Sequence, residues 1–151
     1  MQKRSASLLL ALSIAALPAL AQSSTPELTK QFTNAAQQLS AMAFGTSSPV
    51  TIRGRISNLV WPEGSSGMML IEAAGGTEKY AFSTARVPQM AKQGFSRFTM
   101  RPGEEVIVTG VLANGGQKIG PGFKAARADL ITKSDGTRVF DRTRLPADKS
   151  K

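Results

Sequence analysis

The chain has 151 residues, a formal charge of +9, no histidine and no cysteine. The two absences exclude histidine-based triads, cysteine nucleophiles, Cys/His zinc sites, haem attachment and disulfide staples. A positive excess of this size raises the chance of an anionic partner, although cations spread along the chain without a long block also fit a generally basic, solvated surface.

In chain order, Met1-Gln2-Lys3-Arg4 is a short basic start, residues 8–20 are apolar except for Ser13, and Ala19-Leu20-Ala21 places small residues where a signal peptidase cuts. These are the three parts of a secretory signal. The apolar run is shorter than the roughly 20 residues a bilayer span requires. Cleavage is therefore expected after Ala21, giving a periplasmic or secreted protein with no transmembrane segment after cleavage. Lys3 and Arg4 leave with the signal, which lowers the formal charge from +9 to +7, and 151 residues less 21 leaves 130. That is enough for one domain with its own core.

Ser24-Thr25-Pro26-Glu27 carries a helix start: Ser24 can cap, Glu27 follows three residues later, and Pro26 suits the first turn. Leu28, Phe32, Ala35, Leu39 and Met42 recur at helical spacing, with Lys30, Gln31, Asn34 and Gln38 on other faces. The pattern predicts an amphipathic helix over residues 26–44, then a linker.

From Val50 the period changes to two. Val50, Ile52, Gly54 and Ile56 alternate with Thr51, Arg53, Arg55 and Ser57, and the pattern runs on to Trp61. Gly54 marks a bend or bulge. After the turn at residues 62–67, strands are predicted over residues 68–73 and 78–83, the latter with Tyr80 and Phe82 on one face. Pro88 and Gly94 bracket a short helix. A strand over residues 104–112, a flexible glycine-rich loop, a strand over residues 123–132 and a hairpin at Ser134-Asp135-Gly136-Thr137 complete the chain.

The expected fold is mainly β: a small OB-like five-stranded barrel with one short helix, preceded by the amphipathic helix. The expected organisation is a signal peptide over residues 1–21, helix and linker over 22–48, barrel over 49–144, and a disordered tail over 145–151.

Six segments carry a resemblance: Pro49-Val50-Thr51-Ile52-Arg53-Gly54, Trp61-Pro62, Tyr80-Ala81-Phe82, Gly94-Phe95, Arg101-Pro102-Gly103-Glu104-Glu105-Val106 and Asp135-Gly136-Thr137-Arg138. In this order the chain resembles a family of small exported bacterial proteins of unknown function. Their pattern has a His-His-Ser-Phe start, a Trp-x-Asn-Pro-His segment and a Pro-Gly-Asp turn. The histidines are missing here: Gln38-Leu39-Ser40-Ala41-Met42-Ala43-Phe44 stands where the first motif would lie, and Glu63-Gly64 follows Trp61-Pro62. The resemblance implies export and a barrel fold, and it brings no activity.

No serine has a lysine three residues later, so the one-turn serine–lysine pair is absent. Glu104 and Glu105 are adjacent in a strand and point to opposite faces, which suits no acid/base pair. Asp129, Asp135 and Asp141 lack calcium-loop spacing, and the glycines of residues 115–122 lack a phosphate-loop ending. The expectation is no enzyme, no cofactor and no metal site. Met68, Met69 and Trp61 leave a narrow route to Cu(I) through thioether sulfur.

OB-type barrels bind extended ligands across the face of strands 2 and 3 and at the loops after strands 1 and 4. Here those loops are residues 62–67 and 113–122. The candidate ligand-binding residues are Arg53, Arg55, Trp61, Lys79, Lys118 and Lys124. Few aromatic side chains are available for base stacking, which argues against nucleic acid. The leading expectation is a non-enzymatic exported binding or accessory module for an anionic envelope component or a periplasmic protein. The alternatives are a partner-docking protein that uses the 26–44 helix and a periplasmic copper carrier.

Overall fold

The computed structural model describes residues 26–45 and 48–146. The proposed signal at residues 1–21, the capping residue Ser24 and residues 147–151 of the expected tail lie outside the described residues.

The elements run α1 (Pro26–Ala41), β1 (Val50–Val60), β2 (Ser66–Ala73), β3 (Lys79–Arg86), α2 (Val87–Ala91), β4 (Glu105–Leu112), β5 (Lys118–Ile119), β6 (Phe123–Lys133) and β7 (Arg138–Asp141). β1, β2 and β3 form an antiparallel meander, β1 also pairs with β4, and β4 pairs with β6. A parallel pairing of β3 with β6, from Tyr80 opposite Lys124 to Ser83 opposite Arg127, closes the ring. The result is the expected five-stranded OB-like barrel, with β5 and β7 as short additions on β6.

β1 is long because it serves two neighbours. Its first half faces β4, its second half faces β2, and Gly54 and Arg55 are paired on both sides. At Gly54 a side chain would run into the Glu72 carbonyl oxygen, and its Cβ would lie 2.6 Å from Ile71 Cγ2. The glycine therefore allows close approach, and the register shift itself falls further on, between Ile56 and Asn58. Inside the ring, Ile56, Met69, Ile71, Tyr80, Phe82, Val106, Val108 and Ile131 pack together, joined by Met90 of α2.

A second core lies outside the ring. Ala36 and Leu39 of α1 are buried against Met68 and Leu70 of β2, Ala81 of β3, Ala125 of β6, Ala113 and Ile119, with Phe32, Ala35 and Met42 half-buried around them. From Phe32 to Met42 the stripe read from the sequence is thus the packed face, and Lys30, Gln31, Asn34 and Gln38 are exposed. β2 consequently has cores on both sides, which is why its side chains do not alternate apolar with polar. Truncation of Leu39, which is 0% exposed, to alanine is expected to cost about 2–3 kcal/mol. Thermal melts of wild type and Leu39→Ala measure it; an unchanged melting temperature would mean that α1 is not part of the cooperative fold.

Three of the differences from the sequence-based expectation have a direct structural cause. The helix stops at Ala41, because Phe44 forms a β-bridge with Ala113 and the Asn114 amide donates to the Ala43 carbonyl at 3.1 Å. The glycine-rich loop contains β5, held by the pairing of Lys118 with Lys124 and of Ile119 with Phe123. Leu145, placed in the tail by sequence, packs against the interior core.

Candidate functional site

The six residues singled out from the sequence fall into two places. Arg53, Arg55, Lys79, Lys118 and Lys124 lie on barrel strands and the β5–β6 hairpin. Trp61 sits apart, just past the end of β1.

Arg53, Lys79 and Lys124 are paired with carboxylates, whereas Arg55 and Lys118 form no ion pair among the described residues. Arg53 Nε donates to Glu105 at 2.6 Å, and Lys79 Nζ lies 3.7 Å from Glu72. Arg55 is in register with Glu105 on one side and Glu72 on the other. Glu105, Arg55, Glu72 and Lys79 therefore cross four neighbouring strands as an alternating ladder. Such a ladder neutralises itself and attracts a long anion poorly.

Lys124 and the Tyr80 hydroxyl both donate to the Glu78 carboxylate. The Lys124 ammonium is also 5.6 Å from the Tyr80 ring centroid. Lys118 faces Lys124 in register. The Lys124 hydrogen bond first, and that of Tyr80 second, hold the Glu78 carboxyl below its ordinary range. Burial, followed by the bond to Glu78, raises the Tyr80 hydroxyl to about 12. The stabilisation from Tyr80 is therefore complete below the ordinary tyrosine value of about 10. It is lost as the pH climbs towards about 12. That from Glu78 is present above the ordinary carboxylate value and is lost as the pH falls through its lowered one. Tyr80 is the chain's one tyrosine, so an ultraviolet absorbance titration reads it alone. A midpoint near 12 is expected; a midpoint near the ordinary value of about 10 would rule out the triad.

The face of β2 and β3 that OB-type barrels leave open to ligands is covered here by α1. What remains beside the helix is a groove of about 470 Å³ whose walls include Phe32, Met68, Leu70, Ile119 and Phe123. Met68 and Met69 point to opposite sides of β2, Met68 into the outer core and Met69 into the ring. Trp61 packs against the ring core that holds Met69 and not against the outer core that holds Met68, so the two sulfurs do not converge on the indole. Among the described residues no group of three or more carboxylate, histidine or cysteine side chains could hold a metal ion.

Trp61 lines a separate cleft of about 660 Å³ with the turn at residues 62–65, the start of α2, and Arg86, Phe95 and Arg97. Local sequence builds this cleft. Pro62 and the Glu63-Gly64 turn reverse the chain into β2, where Gly67 lies beneath the indole and leaves no room for a Cβ between the ring and Thr84. Phe95 meets the indole edge-on, with centroids 5.1 Å apart. Arg86 and Arg97 are exposed at the rim, and neither forms an ion pair among the described residues. Glu63 is the one carboxylate in the lining.

Phe95, Arg86 and Arg97 were missed in the sequence reading. Their signal is nonetheless present: Arg86, Lys92, Arg97 and Arg101 occur in a stretch from 86 to 101 without any aspartate or glutamate. None of these four side chains forms an ion pair among the described residues.

The ring closed by β3 and β6 places the chain among the small OB-like β-barrel proteins. Within that class it belongs to a family of unknown function, DUF6152, whose family model matches residues 28–122. The matched segment takes in most of α1 and the strands through β5, and it ends before β6. No curated protein matches the sequence.

Proposed function

We propose that this chain is an exported, non-enzymatic binding module that takes an anionic component of the cell envelope in the Trp61 cleft. The basic start, the apolar run and the Ala19-Leu20-Ala21 site support export. The observation that carries the ligand reading is the cleft itself. An aromatic floor of Trp61 and Phe95 stands beside two exposed arginines that no carboxylate neutralises among the described residues. Planar guanidinium groups suit phosphate and carboxylate, and an indole face suits the apolar body of the same ligand. Among the described residues no helix is long and apolar enough to cross a membrane.

Trp61 is the chain's one tryptophan, so its emission reports on the cleft alone. Heparin is the probe, a soluble sulfated polysaccharide. Titration is expected to change Trp61 emission. Affinity should fall roughly sevenfold between about 50 and about 200 mM salt, as two contacts to a flexible polyanion predict. The Arg86→Gln/Arg97→Gln double variant should lose most of the response, whereas Arg53→Gln, already paired with Glu105, should retain it. An emission response that the double variant keeps in full would sink the reading.

The alternative of a partner docked on the 26–44 helix meets an obstacle in Leu39 and Ala36, which are already buried against the barrel. Such a partner would have to displace α1 or use its polar face.

A further inference from the structure

Phe98 is 73% exposed, and among the described residues no other large hydrophobic side chain is exposed. A single exposed phenylalanine is ordinary on a protein surface. The setting of this one is not ordinary. It sits on a tight turn between two buried anchors, Phe95 at 4% exposure and Met100 at 1%. The turn is closed by the Ser96 amide donating to Thr99 Oγ1 at 2.8 Å and by the Thr99 amide donating to the Ser96 carbonyl at 2.9 Å. The Phe98 amide adds a third bond, to Ser96 Oγ at 3.3 Å. The ring is thus presented by a fixed scaffold.

The surrounding chain is cationic. Arg97 is adjacent and Arg101, Lys92 and Arg86 belong to the same connector between β3 and β4; all four are exposed and unpaired among the described residues. The nearest carboxylate along the chain, Glu104, accepts from the Arg101 backbone amide at 3.2 Å and lies 3.8 Å from Lys133. One exposed apolar side chain on a turn, in a connector that carries four cations and no acid from residue 86 to residue 101, matches a bilayer interface of anionic lipid. The ring enters the acyl boundary while the cations remain among the headgroups. A soluble polyanion would use the cations and leave the ring in water.

We propose that the Phe98 turn docks the barrel on the surface of an anionic lipid bilayer. This docking rests on the envelope reading above and shares with it the removal of residues 1–21 and the cations Arg86 and Arg97, whereas Phe98 lies outside the lining of the Trp61 cleft. Each cation near such a surface contributes about fivefold to partitioning, and burial of the phenylalanine ring about tenfold or more.

The test is co-sedimentation of the processed chain, residues 22–151, which retains every described residue. The vesicles are phosphatidylcholine alone or an equimolar mixture with phosphatidylglycerol, and mass spectrometry checks the N-terminus. Wild type is expected to bind the mixed vesicles and not the neutral ones. Phe98→Ser should weaken that binding about tenfold, Arg97→Gln about fivefold, and Phe98→Trp should restore it. Phe98→Ser should also leave the heparin response of Trp61 unchanged, so a failure of docking is distinct from a failure of the cleft. Failure of wild type to bind mixed vesicles overturns the proposal. So does full binding by Phe98→Ser, which would reduce the contact to charge adsorption. Loss of heparin binding in Phe98→Ser without any vesicle binding would overturn it in favour of a soluble polymer.

Discussion

Gly110→Ala is expected to destabilise the barrel by about 3 kcal/mol or more. Gly110 lies in β4 opposite Ala128 of β6, where the register shifts between Thr109 and Gly110. The Arg127 carbonyl oxygen of β6 occupies the space a Cβ would need, and Ala128 Cα would be 3.3 Å away. Nothing at this point is the far end of a flexible side chain. Relief would require the β4 and β6 backbones to separate at a seam of the closed ring. The position has no positive φ, so the cost is steric rather than conformational. Thermal or urea unfolding followed by circular dichroism measures it. A variant as stable as wild type would mean that the two strands sit further apart than described.

The second large effect is expected at Phe82. Its side chain is fully buried, stacks on Tyr80 at 5.8 Å between centroids, and belongs to a strand paired with both β2 and β6. Phe82→Ala should cost about 3–5 kcal/mol, from lost burial and the cavity left behind. A domain of this kind has a total stability of only about 5–15 kcal/mol. Phe82→Leu keeps more of the volume and should lose less. Equal losses in the two variants would point to backbone disturbance instead of a cavity.

Much of the fold was legible because it rests on local patterns. The spacing of Phe32, Ala35, Leu39 and Met42 announced α1, and the alternation from Val50 announced β1. Pro88 and Gly94 bracketed α2, and Gly94 does take a positive φ of 82°. β5 was missed because two residues among glycines carry no periodicity. The resemblance to an uncharacterised family agrees with the DUF6152 match.

The candidate site was less legible, since what decides a cation's availability is a partner far away in the chain. Arg53 meets Glu105 across 52 positions and Lys124 meets Glu78 across 46. No local reading reveals that Arg53, Lys79 and Lys124 are paired with carboxylates while Arg55, Lys118 and the cations of the connector from Arg86 to Arg101 form no ion pair among the described residues. The covering of β2 by α1 was hidden for the same reason. A helix stripe shows that a face will be buried, without showing against what.

The parallel pairing of β3 with β6 sets an order on the protein's assembly. β1 to β3 can zip as neighbouring hairpins, but β6 bridges β3 to β4 only after the connector, α2 and the β5 hairpin have been made. Until then both β3 and β4 present an unpaired edge, the kind of edge that recruits other chains. A nascent chain that has reached Gly122, where the family match ends, holds four barrel strands and no seam. Its passage from open sheet to closed ring depends on the eleven residues of Phe123–Lys133, and an exported chain would make that passage only after crossing the membrane.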